Sequence, residues 1–444
     1  VHRLDTVDKV TGKMIYTADF TLPGMLLAAI KECPVFGGKI KSFDTAKVSG
    51  MRGVKHVLQV GDSAVAVVAD SWWRAKVALD ALPIVWDEGA SAKVSSASIA
   101  STLKEGLGAE QAFVGNKNGD AKAALGSAVK KVEAVYAHPY LNHAPMEPMN
   151  TTAHFRPDGV LEMWVPTQQP DRGMAAMAKS AGLKEDKLVL HQTRVGGGFG
   201  RRLVNDYACE AAAIAMKVGH PGRWIEDRRE HLLASVHARD HFYDLTVSVA
   251  KDGTLLGLEG DITIDAGAYS LWPTGAFMEA SMASRNLTGP YRIRHLNLKT
   301  YTVATNKAPM GPYRGVARPG ACFAIERLVD VAAREVGLDL AALGVRHALV
   351  VTDPVVRGLL PVQTVLASLE RSGVRHTVYD RVRVEPTDES FLDAIAFARE
   401  RGIDAYVAVG GGSAIDTAKA VNLYVTYPPA DFLDYVNPPI GRGV

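Results

Sequence analysis

A run of glycines between an extended segment and a helical segment is the first feature of this chain that suggests chemistry. Residues 195–202 read Val-Gly-Gly-Gly-Phe-Gly-Arg-Arg, after an alternating stretch over 188–194 and before a helical pattern that ends near Val218. Glycines let a ligand approach the backbone closely, and N–H groups at a helix start can face an anion. A tight turn without a ligand is the alternative. The candidate cofactor contacts here are Gly197, Gly198, Phe199 and Gly200.

One other segment carries a side chain that could contact the same ligand. Arg314 lies in a loop over 305–319 that is rich in proline and glycine, and a guanidinium can grip a pair of anionic oxygens. The alternative for Arg314 is an ion pair with a local acid such as Glu326.

A proline-interrupted segment contains a histidine and a glutamate. Residues 142–150 read Asn-His-Ala-Pro-Met-Glu-Pro-Met-Asn, and the two prolines predict a rigid, extended path. His143 and Glu147 could line a site. We favour the alternative, in which both side chains hydrogen-bond to loop backbone.

The last hundred residues contain a second glycine run in a different context. Strands and helices alternate here, which predicts a parallel sheet with right-handed crossovers. Residues 410–413, Gly-Gly-Gly-Ser, lie between a predicted strand and a helix start, a position that suits a pyrophosphate. An ordinary strand-to-helix turn is the alternative. The candidate nucleotide contacts are Asp353, Gly411, Gly412, Ser413 and Asp416.

Composition sets limits on the function. The chain has 444 residues, 47% of them hydrophobic and 22% charged, which is ordinary for a globular protein. A formal charge of +2 gives no reason to expect nucleic acid, and no apolar run is long enough for a transmembrane helix. Three scattered cysteines cannot supply the about four thiolates of an iron–sulfur cluster. The compartment, cytoplasmic or periplasmic, stays open.

The order of these patterns predicts four segments. Residues 1–90 are expected to form a small α+β domain, and residues 91–130, rich in Ala, Ser, Gly and Lys, a partly helical and exposed linker. Residues 131–338 hold the first glycine run, and residues 339–444 form the alternating strand–helix segment.

The first three segments resemble the large subunits of the xanthine oxidase family, which bind molybdopterin. The string Gly-Gly-Gly-Phe-Gly-Arg-Arg resembles the cofactor loop of the isoquinoline 1-oxidoreductase and aldehyde dehydrogenase type. Residues 223–230 and 235–240 resemble the carbon-monoxide-dehydrogenase type. The resemblance implies a hammerhead-like α+β domain followed by a partial molybdopterin-binding domain. It also implies that Gln168, which follows a predicted strand over Leu161–Val165, lies beside an oxo group of the cofactor, and that Arg314 borders the molybdenum site.

This resemblance implies an oxidoreductase that hydroxylates an aldehyde or an N-heterocycle. The implied cofactor is molybdopterin, with its cytosine dinucleotide form as one alternative, and the implied partner is a small [2Fe–2S] subunit. The family's Gly-x-Gly-Glu tetrad, which carries the catalytic base, does not occur in this sequence. We therefore expect hydroxylation to be impaired, and no catalytic residue is assigned.

Residues 339–444 resemble a different family, the iron-containing alcohol dehydrogenases of the hydroxyacid–oxoacid transhydrogenase type. The pattern Gly-Gly-Gly-Ser-x-x-Asp-x-x-Lys over 410–419 carries the likeness and implies a partial Rossmann-like domain that binds NAD. No histidine follows His376, so no three-histidine metal site is expected in this segment. Two alternatives to molybdenum chemistry therefore remain: an NAD-binding fragment, and a non-functional chimera of the two families.

Overall fold

A computed structural model describes most of the chain, and the protein divides into two units, residues 4–332 and residues 333–444. Residues 339–343, where we placed the change of family, lie outside the described part. The described residues are 5–107, 113–268, 271, 276–338, 344–429 and 431–436.

The helices follow the apolar periodicity of the sequence, and most of them begin at a polar capping residue. The helices of the described residues are α1 Thr6–Val10, α2 Trp72–Ala81, α3 Ser96–Gly106, α4 Ala121–Gly126, α5 Pro170–Ser180, α6 Asp206–Val218, α7 Arg228–Leu233, α8 Ala276–Asn286, α9 Arg318–Glu335, α10 Leu360–Arg371, α11 Asp388–Arg399 and α12 Gly412–Thr426.

The strands form three larger sheets and two short ribbons. The strands of the described residues are β1 Leu26–Glu32, β2 Lys39–Phe43, β3 Val54–Val60, β4 Ala64–Ala69, β5 Ile84–Asp87, β6 Phe113–Asn118, β7 Lys130–His138, β8 Leu141–Asn142, β9 Asn150–Phe155, β10 Leu161–Val165, β11 Leu188–Gln192, β12 Gly222–Ile225, β13 His237–Ala238, β14 His241–Val249, β15 Leu255–Gly267, β16 His295–Ala304, β17 His347–Val351, β18 Arg375–Tyr379 and β19 Ala405–Ala408.

A seven-stranded mixed sheet forms the main core of the first unit, in the order β11-β10-β9-β12-β1-β4-β3. Strand β4 reads Ala-Val-Ala-Val-Val-Ala and is buried on both faces, because α2 covers one face and α6 the other. The chain leaves this sheet after β10 and again after β11, so the segments that follow these two strands begin side by side.

A five-stranded sheet, in the order β6-β16-β15-β14-β7, forms the second layer of this unit. Strands β14 and β15 pair as the hairpin that Lys251-Asp252-Gly253 predicts. The segment 91–130, expected as a partly helical and exposed linker, contains α3 and α4, and most of its described residues are exposed. It also contributes strand β6, which pairs with β16, and Ile99 and Leu103 of α3 are buried because they lie at helical spacing on one face.

The second unit contains a three-stranded parallel sheet in the order β18-β17-β19, as the alternating pattern predicts. Strand β17 is buried along its whole length, between core residues on α10 and core residues on α11 and α12. The first unit thus has the mixed α+β layers expected of it, and the second unit has the expected α/β parallel sheet. Within the described residues, no helix is both long and apolar enough to cross a membrane.

A carboxyl group at the end of β1 predicts a pH-dependent stability. Burial, together with the charges of Glu226 and Glu230, raises the pKa of Glu32 to about 8. An unfolded chain releases this proton near pH 4.5, whereas the folded protein keeps it until about pH 8. The folded state therefore holds more protons over this range, and the free energy of unfolding falls as the pH rises through it.

We expect the melting temperature to fall between pH 5 and pH 8, and Glu32→Gln to remove part of that fall, because burial also raises the pKa of the neighbouring Glu230, to about 7. At a pH above the pKa values of both the folded and the unfolded state, each unit of the upward pKa shift lowers the free energy of unfolding by about 1.4 kcal/mol. Each kcal/mol of that loss lowers the melting temperature by roughly 2–4 °C. Glu185→Gln, at an exposed position, controls for the change in net charge. Melting curves with the same pH dependence in wild type and Glu32→Gln would contradict this expectation.

Candidate functional site

The first glycine run forms an irregular loop at the end of β11. We call residues 195–202 the glycine loop. Its backbone enters the left-handed region at Gly197 (φ 103°), Phe199 (φ 55°) and Gly200 (φ 104°). A short 3-10 helix, Arg201–Leu203, follows and leads into α6. The predicted order of strand, glycine turn and helix is present, with the 3-10 turn between the loop and the helix.

Three successive backbone N–H groups of this loop have no acceptor among the described residues: those of Gly197, Gly198 and Phe199. On either side of them, the N–H of Gly196 donates to Glu147 and that of Gly200 donates to Gln168. Consecutive free N–H groups in a loop with left-handed residues can form an anion-binding concavity. The loop can therefore donate hydrogen bonds to a bound group without moving its own supports.

Gln168 lies on the turn after β10 and is fixed to the glycine loop through its carbonyl oxygen. Its Oε1 accepts from the N–H of Gly200 (3.1 Å) and from the N–H of Arg202 (3.2 Å). The amide nitrogen has no acceptor among the described residues, and the side chain is exposed. Because the oxygen is already bonded to the loop, the amide N–H groups are the part of Gln168 that can reach a ligand.

The loop that carries Arg314 packs directly on the glycine loop. The N–H of Arg314 donates to the carbonyl of Phe199 at 2.9 Å. A Cβ at Gly200 would lie 2.0 Å from the carbonyl oxygen of Pro312, so only glycine fits there. The Arg314 guanidinium is exposed and forms no ion pair with a described residue, while Glu326 accepts from Tyr291 instead. The alternative pairing of Arg314 with Glu326 is therefore absent.

His143 and Glu147 have the backbone-bonding role that we favoured. The two ring nitrogens of His143 lie 3.1 Å and 2.9 Å from the carbonyl oxygens of Val236 and Pro312, and burial lowers the pKa of His143 to about 4. Glu147 accepts from the N–H groups of Ala18 and Gly196. Both residues support the loops that form the site.

The sequence did not assign roles to the two arginines that end the glycine loop. Arg201 is 1% exposed and forms a bidentate ion pair with Asp206. Arg202 is fully buried and binds Glu147 and the carbonyl of Gly197. Adjacent arginines after a glycine run were a visible signal, but the partner of Arg202 lies 55 residues away in the sequence.

A small pocket of about 60 Å³ borders the Arg314 loop. Tyr313 and Arg314 form part of its wall, together with the buried Arg239–Glu279 ion pair and the imidazole of His241. Burial alone would raise the pKa of Glu279, but hydrogen bonds and charge attraction from His241 and Arg239 outweigh it and lower that pKa. Among the described residues, no group of three or more His, Cys, Asp or Glu side chains is placed to hold a metal ion.

The second glycine run lies on the surface of the second unit. Gly411 is the N-cap of α12, and a Cβ at Gly411 or Gly412 would meet nothing within 4 Å. Asp353 Oδ1 accepts from the N–H groups of Val355 and Val356, both at 2.9 Å, and Ser413 Oγ accepts from the N–H of Glu385. Asp353 therefore supports its own turn, and Ser413 binds the segment that precedes α11. The remaining candidate in this unit, Asp416, is exposed on the second turn of α12.

Family models match two adjacent parts of the chain. Residues 106–347 match the molybdopterin cofactor-binding domain, and residues 329–443 match the iron-containing alcohol dehydrogenases. The two resemblances found in the sequence are thus confirmed.

Solved structures match the first part of the chain. Quinoline 2-oxidoreductase from Pseudomonas putida 86 is 25% identical, with a TM-score of 0.66 over 76% of this chain and 48% of its own. Aldehyde oxidoreductase from Desulfovibrio gigas is 24% identical, with a TM-score of 0.62 over 77% of this chain and 42% of its own. The second likeness is evidence of the fold alone.

Curated proteins match over a shorter length. The mitochondrial hydroxyacid-oxoacid transhydrogenase of Xenopus tropicalis is 60% identical over 110 residues, which are 25% of this chain and 24% of the relative. The bovine protein of the same name is 49% identical over 144 residues, 32% of this chain and 31% of the relative. The chain thus spans a quarter to a third of these relatives.

Proposed function

Because this chain belongs to the molybdopterin cofactor-binding domain family, we propose that its glycine loop holds molybdopterin in an oxidoreductase that hydroxylates an aldehyde or an N-heterocycle. The observation that supports the proposal most is the set of free donors beside the loop. Three backbone N–H groups and the Gln168 amide have no acceptor among the described residues. A group rich in acceptor oxygens would satisfy them.

Each proposed contact has a distinct task. The N–H groups of Gly197, Gly198 and Phe199 donate to acceptor atoms of the cofactor, and the absence of side chains at the glycines lets it approach closely. Gln168 donates its amide N–H without adding a charge. The Phe199 ring, 40% exposed, offers an apolar face, and Arg314 supplies a positive charge at the border of the site. These residues bind and orient.

When bound, the cofactor supplies the oxygen-transfer and electron-transfer chemistry, and the protein contributes position and hydrogen bonds. In this proposal the electrons leave through a separate small [2Fe–2S] subunit. The cofactor is either simple molybdopterin or its cytosine dinucleotide form.

The form of the cofactor can be tested on the protein itself. The chain is expressed in a host that makes and inserts the cofactor, purified and denatured, and the released pterin and nucleotide are measured. We expect close to one pterin per chain, and one cytosine nucleotide with it if the dinucleotide form is bound. Purified protein without pterin would contradict the proposal.

A second candidate function is NAD binding by the second unit. It is favoured by the open backbone at Gly411 and Gly412 at the start of α12, which is where a pyrophosphate binds in sheets of this type. In this proposal the remaining Asp353 oxygen accepts from a ribose hydroxyl. Ser413 and Asp416 lie beside the phosphates.

Gly412→Ala should separate NAD binding from folding. The new methyl group meets no protein atom within 4 Å, and replacing glycine in a helix stabilises by up to about 1 kcal/mol. The same methyl group occupies the surface that the pyrophosphate needs. We expect an unchanged or higher melting temperature and roughly tenfold weaker NAD binding by calorimetry. Equal NAD affinity in both proteins would contradict this placement.

A further inference from the structure

The two arginines of the Gly-Arg-Arg sequence are adjacent and equally buried, but their side chains serve different structures. Arg201 is 1% exposed and Arg202 is fully buried. Arg201 directs its Nη atoms to the carboxylate of Asp206, at 2.8 Å and 2.9 Å, and its Nε to Ser235 at 2.7 Å. Its guanidinium therefore ties the start of α6 to the segment before β13. No described hydrogen bond joins the Arg201 side chain to residues 195–200.

The Arg202 side chain turns back onto the glycine loop. Its Nε donates to the carbonyl of Gly197 at 2.8 Å, and its Nη2 donates to the carbonyl and the Oε2 atom of Glu147, at 2.9 Å and 3.2 Å. The carbonyl of Gly197 belongs to the peptide that carries the free N–H of Gly198. Arg202 therefore fixes the plane of that peptide, and with it the direction in which the N–H points.

Glu147 completes the same support from the other side. Its Oε2 accepts from the N–H of Gly196 at 2.9 Å, and its own N–H donates to the carbonyl of Gly196 at 3.0 Å. Its Oε1 accepts from the N–H of Ala18 and from the Asn150 amide, both at 3.1 Å. The carboxylate, 8% exposed, thus joins the N-terminal segment to the first glycine of the loop.

The backbone of Arg202 also fixes Gln168. Its N–H donates to Gln168 Oε1, and its carbonyl accepts from the N–H of Gln168 at 3.0 Å. One residue thus supports both sets of free donors in the candidate site. Its side chain binds the Gly197 carbonyl, which belongs to the same peptide as the Gly198 N–H, and its backbone binds Gln168. An arginine can do this because its planar guanidinium donates in several fixed directions, whereas a lysine ammonium is a point charge.

We propose that Arg202 and Glu147 are positioning residues for the cofactor site, and that Arg201 supports only the surrounding fold. This division rests on the proposed function, because it assigns Arg202 to the molybdopterin loop. Arg202 touches no reacting atom in this proposal. It acts by holding the peptide of Gly198 and the amide of Gln168 in a geometry that binds the cofactor.

The adjacent arginines provide a matched pair of variants, Arg202→Lys and Arg201→Lys. Both keep the positive charge, and both lose the fork of hydrogen bonds at a buried position, so we expect both to lower the melting temperature. Only Arg202→Lys should reduce the molybdenum held per folded chain, by roughly 10- to 100-fold, as supporting contacts around bound metals do. Glu147→Gln should resemble Arg202→Lys.

A second measurement uses the protein without cofactor. Amide hydrogen exchange at Gly196 and Gly200 reports whether the loop keeps its supports, because these N–H groups donate to Glu147 and Gln168. We expect exchange to speed up about tenfold or more in Arg202→Lys and to stay near the wild-type rate in Arg201→Lys.

The positioning role of Arg202 would be overturned if both arginine variants lost molybdenum equally, in proportion to the decrease in their melting temperatures. Wild-type exchange rates in Arg202→Lys would overturn it as well. If the wild-type protein itself holds only background molybdenum, the proposed function fails, and the exchange rates alone then decide whether Arg202 positions the loop.

Discussion

Gly200→Ala is expected to destabilise the first unit and to remove cofactor binding together. The added Cβ would lie 2.0 Å from the carbonyl oxygen of Pro312, and the backbone at this position has a φ of 104°, which side-chain-bearing residues rarely adopt. Strain and overlap of this kind each cost about 1–3 kcal/mol. The loop can relieve the overlap only by moving away from Pro312, and this displaces the N–H groups of Gly198 and Phe199.

Gly159→Ala is the matched control for this substitution. Gly159 also has a positive φ, 78°, but a Cβ there would meet nothing within 4 Å, and the turn lies between β9 and β10. We expect it to cost about 1 kcal/mol in unfolding free energy and to leave the molybdenum content unchanged. Gly200→Ala protein with full molybdenum content would show that the contact with Pro312 does not shape the site.

Gln168→Glu is expected to leave the fold intact and to weaken cofactor binding strongly. The carboxylate has the same shape as the amide, and one of its oxygens can still accept from the N–H groups of Gly200 and Arg202. The other oxygen takes the place of the amide nitrogen, so the site loses a hydrogen-bond donor. It also brings a negative charge close to the acceptor oxygens of the bound cofactor. The loss of a donor combined with charge repulsion predicts a decrease in affinity of roughly 100-fold.

Molybdenum content and melting temperature, measured on the same preparation, separate these two effects. We expect a melting temperature within about 2 °C of wild type, because an exposed side chain changes little in the unfolding free energy. Gln363→Glu, at an exposed position on α10 in the second unit, is the control for the added charge. Equal molybdenum content in Gln168→Glu and wild type would remove Gln168 from the proposed site.

The local order of the site could be predicted from the sequence, because it depends on short-range patterns. Strand β11, the glycine loop and α6 follow from alternation, from missing Cβ atoms and from helical periodicity within about 30 residues. Strand β10 likewise has the predicted bounds. The parallel pairing of β10 with β11 then explains why Gln168 and the glycine loop meet.

The supports of the site could not be predicted in the same way, because they join distant residues. The Glu147–Arg202 pair forms only when two segments fold onto each other, and no local spacing specifies it. The same is true of the contact between Phe199 and Arg314. Nor does the composition of 91–130 predict that Ile99 and Leu103 of α3 are buried, or that β6 pairs with β16 in the second sheet.

In the second unit, the sequence predicted the elements better than the side-chain roles. The parallel order of its strands follows from their alternation with helices. Asp353 was expected to contact a ribose, but one of its oxygens holds the turn after β17. The position of an aspartate at the end of a strand fits both roles, holding a turn and binding a ligand, so the sequence alone does not distinguish them.

Molybdenum per chain, measured on the purified wild-type protein after expression in a host that inserts the cofactor, tests the central proposal most directly. The free donors of the glycine loop and Gln168 predict a content close to one atom per chain, retained on gel filtration and lost in Gly200→Ala. Wild-type protein that holds no more molybdenum than the Gly200→Ala protein would contradict the proposal that this loop holds the cofactor.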